Sequence, residues 1–472
     1  YFSAVVFVGY AGQFGWKYGI AATWAGIGNA VLGSLLAWAV LGRRTRIMSQ
    51  HLDSATMPEF FGARFGSKSL KLAASAIIFV FLIPYTASLY NGLSRLFGMA
   101  FDIDYTVCVI VMAVLTGVYV IAGGYMATAI NDFIQGIIMI FGICAVIGAV
   151  LASQGGFLAA LEGLAQVPVD ASAGPVAAPG VFASFFGPDP LNLLGVVILT
   201  SLGTWGLPQM VQKFYAIKSE SAINKGMIIS TVFALIVSGG CYFLGGFGRL
   251  FSDKMQFNPD GSIAGGFDSV IPTMLSGLPD LLIAIVVILV LSASMSTLSS
   301  LVLASSSTLT LDFLKDNIIK DMDEKRQVRI MQGLIVVFIA ISVVLAIIQY
   351  KSSVTFIAQL MGVSWGALAG AFLAPFLYGL YWKKTTKLAC WASFLFSTVV
   401  MVANIFVRSS FPTLLQSPIN AGAFCMLAGL VIVPVVSLFT PQTNRALVEN
   451  AFSCYDKKVT VRQSEALGDQ VD

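Results

Sequence analysis

Residues Leu291–Asp312 read LSASMSTLSSLVLASSSTLTLD. They continue an apolar run, LLIAIVVILV, that begins at Leu281. Together the two give more than 25 residues without a charge, enough for a helix across a bilayer. The second half is crowded with hydroxyls. Ala293, Ser296 and Thr297 stand at i, i+3 and i+4 and share one helical face. A lipid-facing span has no need of such a face. A helix that holds a small hard cation does, because backbone and hydroxyl oxygens replace part of the ion's water shell. Hydrogen bonding between packed membrane helices is the other use of such hydroxyls.

Working outward, the composition fits the same picture. The chain has 472 residues, is 57% hydrophobic and 11% charged, and has a mean hydropathy of +0.86. A soluble domain carries about 25% charged residues. The 45 glycines and 16 prolines suit close helix packing and broken helices in lipid. The apolar runs are 18–28 residues long, which excludes the alternating segments of a barrel. The expected class is an all-α polytopic membrane protein in a lipid bilayer. The six cysteines have no CxxC spacing and five lie in apolar spans, so they read as small packing residues. His51 is the only histidine, which rules out a histidine metal site. The net charge of +4 is spread over short loops and points to no nucleic acid.

The sequence opens inside apolar residues, YFSAVVFVGYAG, which read as the second half of a helix. Eleven full spans follow, at about Ile20–Leu41, Leu70–Leu96, Tyr105–Ile121, Phe133–Leu151, Leu191–Tyr215, Met227–Phe247, Leu281–Leu311, Ile330–Ile348, Phe356–Tyr381, Leu388–Val407 and Ala421–Leu438. Met57–Gly66 looks amphipathic and is expected at the membrane interface. Gly261–Leu275 is expected as a short surface helix. Pro84 interrupts one span. Gly203, Gly206 and Pro208 cluster in Leu191–Tyr215, the signature of a discontinuous helix. Alternating the spans puts 21 Lys and Arg on one side and 6 on the other, so the richer side and the C-terminus are expected in the cytoplasm. The opening fragment and four spans make five; the broken span begins a second five. That is the pattern of an inverted-repeat transporter.

Three stretches resemble the sodium:solute symporter family: GGYMATAINDFIQG (Gly123–Gly136), SLGTWGLPQMVQKFYAI (Ser201–Ile217) and SASMSTLSS (Ser292–Ser300). The likeness runs through nearly all of the chain. It implies a LeuT-like core of ten helices in two inverted repeats, 1–151 (helix 1 incomplete) and 191–381. An extracellular loop would occupy 152–190, two additional membrane helices 382–439 and a cytoplasmic tail 440–472. The resemblance puts the sodium site on the carbonyls of Phe2 and Ala293 and the hydroxyls of Ser296 and Thr297. Asp132 matches a family acid on the ion's exit path; an Asp at that position also caps its helix. The substrate site would fall on Ser3, Ala4, Val5, Tyr85, Thr204, Trp205 and Pro208. Proline carriers of the family have Gly and Trp where Ala4 and Val5 stand, and Tyr at Thr204. Trp205 suits stacking on a ring and equally suits packing between helices.

The expectation is therefore sodium-coupled symport of a small organic solute across a bacterial inner membrane. An amino acid such as proline leads, with a sugar, a monocarboxylate or pantothenate as alternatives. No obligate protein partner is expected. A membrane enzyme would need convergent ionisable groups at depth, which the spans lack. A channel would need a continuous polar pore. A receptor that kept the fold and lost transport is the rival from another class.

Overall fold

In the computed structural model the described residues are 2–455, apart from 170–172, 216, 218–220, 316–322, 353–356 and 443. For 123–132, 221, 315, 324 and 352 only the backbone is described. Helix α1 (residues 5–18) turns at Gly19 into α2 (residues 19–51). Gly19 has φ +62°, and a β-carbon there would stand 2.1 Å from the Phe182 carbonyl oxygen; only glycine fits. Helix α3 (Met57–Phe65) begins with a capping box. Thr56 Oγ1 accepts from the Glu59 N–H, and the Glu59 carboxylate accepts from the Ala55 N–H. The membrane-length helices α4 (Lys68–Phe101), α5 (Tyr105–Ala122) and α6 (Phe133–Ser153) follow, then short α7 (Phe157–Ala165).

The span with clustered Gly and Pro is broken into α8 (Pro190–Gly206) and α9 (Pro208–Tyr215), bent by 44°. Leu207 between them is extended, at φ −80° and ψ 124°. Pro208 has no N–H, so the Thr204 carbonyl loses its helical donor. Next come α10 (Ala222–Gly245), short α11 (Val270–Leu275), α12 (Asp280–Leu314), α13 (Lys325–Lys351), α14 (Ile357–Tyr381), α15 (Lys387–Phe406), α16 (Pro418–Phe439) and short α17 (Arg445–Ser453). Ten helices have the length and hydropathy to cross a membrane, or eleven with the bent pair as one span and α1–α2 as a single run. Divided at Gly19, that run supplies the opening fragment and the first full span. All eleven expected spans are then present among the described residues.

Thr116 of α5 meets Met295 of α12, and Gly142 of α6 faces Leu289 of the same helix. Those partners are about 9 Å apart along the axis, whereas a straight helix would separate Thr116 from Gly142 by about 39 Å, so α5 and α6 are not one straight helix. Polar contacts gather at two opposite faces. On one, Arg44 reaches Leu380 and Tyr455, Arg46 reaches Tyr215, Arg64 reaches Gly379 and Trp382, and Lys71 reaches Asp312. On the other, Arg95 meets Gly265, Tyr105 meets Ala346, and Arg249 meets Trp16.

The centre of the fold is α14, which is buried along almost its whole length. It carries Gly362, Gly366 and Gly370 on one stripe. A β-carbon on Gly366 would stand 2.7 Å from the Gly422 Cα of α16, so the two backbones touch through small residues. Ser393 and Ser397 of α15 donate to the Gly370 and Gly366 carbonyls.

One expectation needs correction and two others gain detail. Met57–Gly66 packs its apolar face on protein. Phe60, Phe61 and Phe65 are buried against Phe372, Phe376 and Phe394, because an aromatic face packs as well on protein as on lipid. Gly261–Leu275 is not one surface helix: only Val270–Leu275 is α-helical, and Val270, Ile271, Met274 and Leu275 are buried. The polar tail forms α17, with Val448, Ala451 and Phe452 buried against the rest.

Candidate functional site

Residues Phe2–Ala4 lead into α1 and are held from two sides. Ser3 closes the first turn: its carbonyl accepts from Phe7 N–H at 2.9 Å and its hydroxyl faces Val6 N–H at 3.5 Å. The Ala4 N–H donates to Ser294 Oγ on α12 at 2.9 Å, across 290 residues of chain. Ser294 is fully buried. On the opposite side Gly92 of α4 leaves room for Ala4; a β-carbon at 92 would stand 2.9 Å from the Ala4 Cβ and carbonyl oxygen.

That bond brings Phe2, Ser3 and Ala4 beside the hydroxyl-bearing turn of α12. Phe2 and Ala293 are buried, while Ser296 and Thr297 are half-buried. Thr297 Oγ1 donates to the Ala293 carbonyl at 3.0 Å. Giving its proton there leaves the oxygen lone pairs facing away from the helix, the orientation a cation ligand needs. The Ser296 carbonyl accepts from the Ser299 and Ser300 hydroxyls. Such a set of neutral oxygens offers a monovalent cation partial dehydration without tight capture.

Tyr85 is buried on α4, with its hydroxyl beside Ser3 and its ring edge-on to Trp365 of α14 at 5.9 Å between centroids. Ala4 and Val5 are fully buried in the opening turn of α1. Pro208 opens α9 and is buried. Thr204 and Trp205 point elsewhere. Thr204 Oγ1 donates to the Gly33 carbonyl of α2 at 2.9 Å, and Trp205 Nε1 donates to the Leu32 carbonyl at 2.8 Å. Both side chains thus tie α8 to α2. The side chain of Asp132 lies outside what the structure describes.

Three groups at the site carried no signal in the sequence. Ser294 gains its role only from the arrival of α1. Trp365 sits in an unbroken apolar run. Gln209, next to the break between α8 and α9, is buried with neither amide atom hydrogen-bonded. Ser305 and Ser306 on α12 are also buried with unpartnered hydroxyls. Unpaired polar groups at such depth are costly and suit a route that fills with water or ligand in another state.

A cavity of about 1000 Å³ opens on the face away from Arg44 and Arg64. Asn91 and Arg95 of α4, Asp268 and Trp16 are among its lining residues. Tyr85, Ser88, Asn91 and Arg95 follow one another at three- and four-residue steps, so one polar strip of α4 leads from the cavity toward Tyr85.

Fold and site together describe a membrane transporter of the LeuT fold. The model of the sodium:solute symporter family matches residues 1–395, and the chain belongs to that family. It is 31% identical to a sodium/proline symporter of Haemophilus influenzae, over 82% of this chain and 75% of that one. It is 26% identical to a sodium/pantothenate symporter of the same organism, over 81% and 75%. A sodium/proline symporter of Escherichia coli is also 26% identical, over 81% and 74%. Among solved structures, a Na+-coupled sialic acid symporter in a substrate-bound outward-open state aligns with a TM-score of 0.72. It covers 94% of this chain and 88% of its own at 15% identity. Inward-facing Mhp1 aligns at 0.52, over 95% and 90% at 10% identity. These two likenesses concern the fold alone.

Proposed function

We propose that this protein carries a small organic solute into the cell together with sodium, by alternating access. The observation that carries the reading is the Ala4–Ser294 bond, which holds the start of α1 against the Ala293–Thr297 turn. A cation held by Phe2, Ala293, Ser296 and Thr297 joins two helices that must separate for the site to empty. Its preference for the joined arrangement shifts the population toward the state that accepts solute. The solute then lies near Ser3, Ala4, Val5, Tyr85 and Pro208, while Thr204 and Trp205 act by holding the broken helix against α2. Asp132 draws the released cation toward the cytoplasm. Membrane potential adds roughly 2.3 kcal/mol per charge per 100 mV to inward movement. The chain is not an enzyme, since no reacting group is needed.

The face carrying Arg44, Arg46 and Arg64 is the cytoplasmic one, as the distribution of basic residues favours, and α17 lies there. The two repeats are 1–151 and 191–381, followed by the helices of 382–439 and a tail. An amino acid such as proline is the preferred solute, because relatives of that name are prominent. Pantothenate, a sugar or a monocarboxylate is the second reading, favoured by the pantothenate symporter. The setting is a bacterial inner membrane.

The test is thermal stabilisation of the purified protein against a panel of amino acids, sugars, monocarboxylates and pantothenate, in sodium and in potassium chloride. A solute that raises Tm only in sodium identifies the substrate class. A solute that stabilises equally in both salts would count against sodium coupling.

A further inference from the structure

We infer that Ser294 is a positioning residue for the cation site. The inference rests on the sodium reading above. The hydroxyl of Ser294 is no ligand in that reading; its work is to accept the Ala4 N–H at 2.9 Å. Two consequences follow from where the bond sits. Ser294 is the residue after Ala293, and Ala4 is two residues after Phe2. The bond therefore sets the spacing between the two helices whose carbonyls are assigned to the ion. The bond is also buried: Ser294 is 0% exposed, and Ala4 lies between α12 on one side and Gly92 of α4 on the other. In a dry interior no water replaces such a bond when its acceptor is removed.

Without that hydroxyl, the opening turn of α1 loses this polar tether to α12. The carbonyl at Phe2 then samples positions away from the Ala293–Thr297 turn, and the ion must supply the ordering that Ser294 had already made. Part of the binding free energy is spent on that ordering, and affinity falls. The loss of one such bond weakens sodium roughly tenfold, the equivalent of about 1.4 kcal/mol. The solute itself, bound after the ion, shows the change mainly as a higher sodium requirement.

The experiment uses the purified full chain with sodium chloride as the only probe, at constant ionic strength with potassium chloride. The readout is the sodium concentration giving half of the sodium-induced rise in Tm. Four variants are compared: Ser294→Ala, Ser294→Thr, Ser294→Cys and Ser296→Ala. Expected results are a midpoint raised about tenfold in S294A, a midpoint near wild type in S294T, whose hydroxyl still accepts, and a raised midpoint in S296A. S294C keeps the volume with a weaker acceptor and is expected between S294A and S294T; it carries the test if S294A is not recovered folded. A raised midpoint in S296A beside an unmoved one in S294A and S294C overturns the positioning role and leaves the sodium site standing. A lowered Tm in potassium with an unmoved sodium midpoint also overturns it, since that is packing alone. Unmoved midpoints in S296A and in every Ser294 variant reject the sodium site itself, and this inference with it.

Discussion

Asp268 shows how burial alone can set the behaviour of one residue. It stands in the loop before α11, 2% exposed, with one carboxylate oxygen accepting the Ile357 N–H at 3.2 Å. Burial pushes its carboxyl up to about 6; the Arg95 guanidinium, 3.9 Å away, and the Ile357 N–H pull it down only in part. A carboxyl raised in the folded state stabilises the fold fully below its unfolded value near 4, and that contribution is lost as pH rises through about 6. Ionised Asp268 therefore costs roughly 2–3 kcal/mol at neutral pH. Asp268→Asn is expected to melt several degrees above wild type at pH 8, with about half of that gap at pH 5 and almost none below pH 4. A gap that does not change with pH would contradict this. At the proposed cation site, Thr297→Ala is expected to lower sodium affinity about tenfold or more by removing one oxygen, measured as the sodium dependence of uptake.

At the same scale the sequence was legible in part. Ser296 and Thr297 could be picked out because helical spacing alone puts them with Ala293 on one face. Ser294 could not. A serine on an apolar helix says nothing about an N–H that arrives from 290 residues earlier. Thr204 and Trp205 could be placed beside a break by Gly206 and Pro208, but which neighbour they face depends on how α8 is rotated. The structure turns them toward α2.

Among the elements, α14 depends on the absence of side chains. Gly366 and Gly422 bring two backbones together, and the nearest atom to a new β-carbon at 366 is the Gly422 Cα at 2.7 Å, which cannot swing aside as the Met401 side chain beside it can. Gly366→Ala is expected to destabilise by about 1–3 kcal/mol and lower Tm by several degrees. Gly333→Ala on α13, where nothing lies within 4 Å of the new carbon, is expected to be neutral or stabilising by about 0.5–1 kcal/mol. Equal effects of the two would show that the α14–α16 contact is not held by close approach. The broken span was readable because Pro lacks an N–H and Gly carries no β-carbon. For α3, an amphipathic aromatic pattern does not say that its apolar face meets Phe372, Phe376 and Phe394.

Across the whole molecule, α17 fastens one face. Arg64 donates to the Gly379 and Trp382 carbonyls, and its guanidinium lies 4.9 Å from the Phe452 ring. Burial lowers Arg64 to about 10, with Cys390 and Tyr455 opposing, so it stays charged at neutral pH. Arg44 lies between Tyr381 and Tyr455, at 4.1 and 4.6 Å. The ends of α2, α3 and α14 are thus clasped by a segment beyond the family match, which ends at residue 395. Phe452→Ala is expected to cost about 3 kcal/mol or more, read as a lower Tm; an unchanged Tm would mean that the clasp is not structural. Span count and the gathering of basic residues at one face were legible because hydropathy and charge act on whole segments. The clasp was not, since its contacts join residues hundreds of positions apart.

Sodium coupling is tested most directly by uptake into proteoliposomes containing the purified protein, with radiolabelled proline, pantothenate and a sugar offered in turn. With an inward sodium gradient, one of these solutes is predicted to accumulate above its external concentration. Accumulation should vanish when sodium is equal on both sides, when potassium replaces it, or when Ser296 and Thr297 are both alanine. A solute that accumulates equally well in potassium, or in the double variant, would contradict the assignment of sodium to this site.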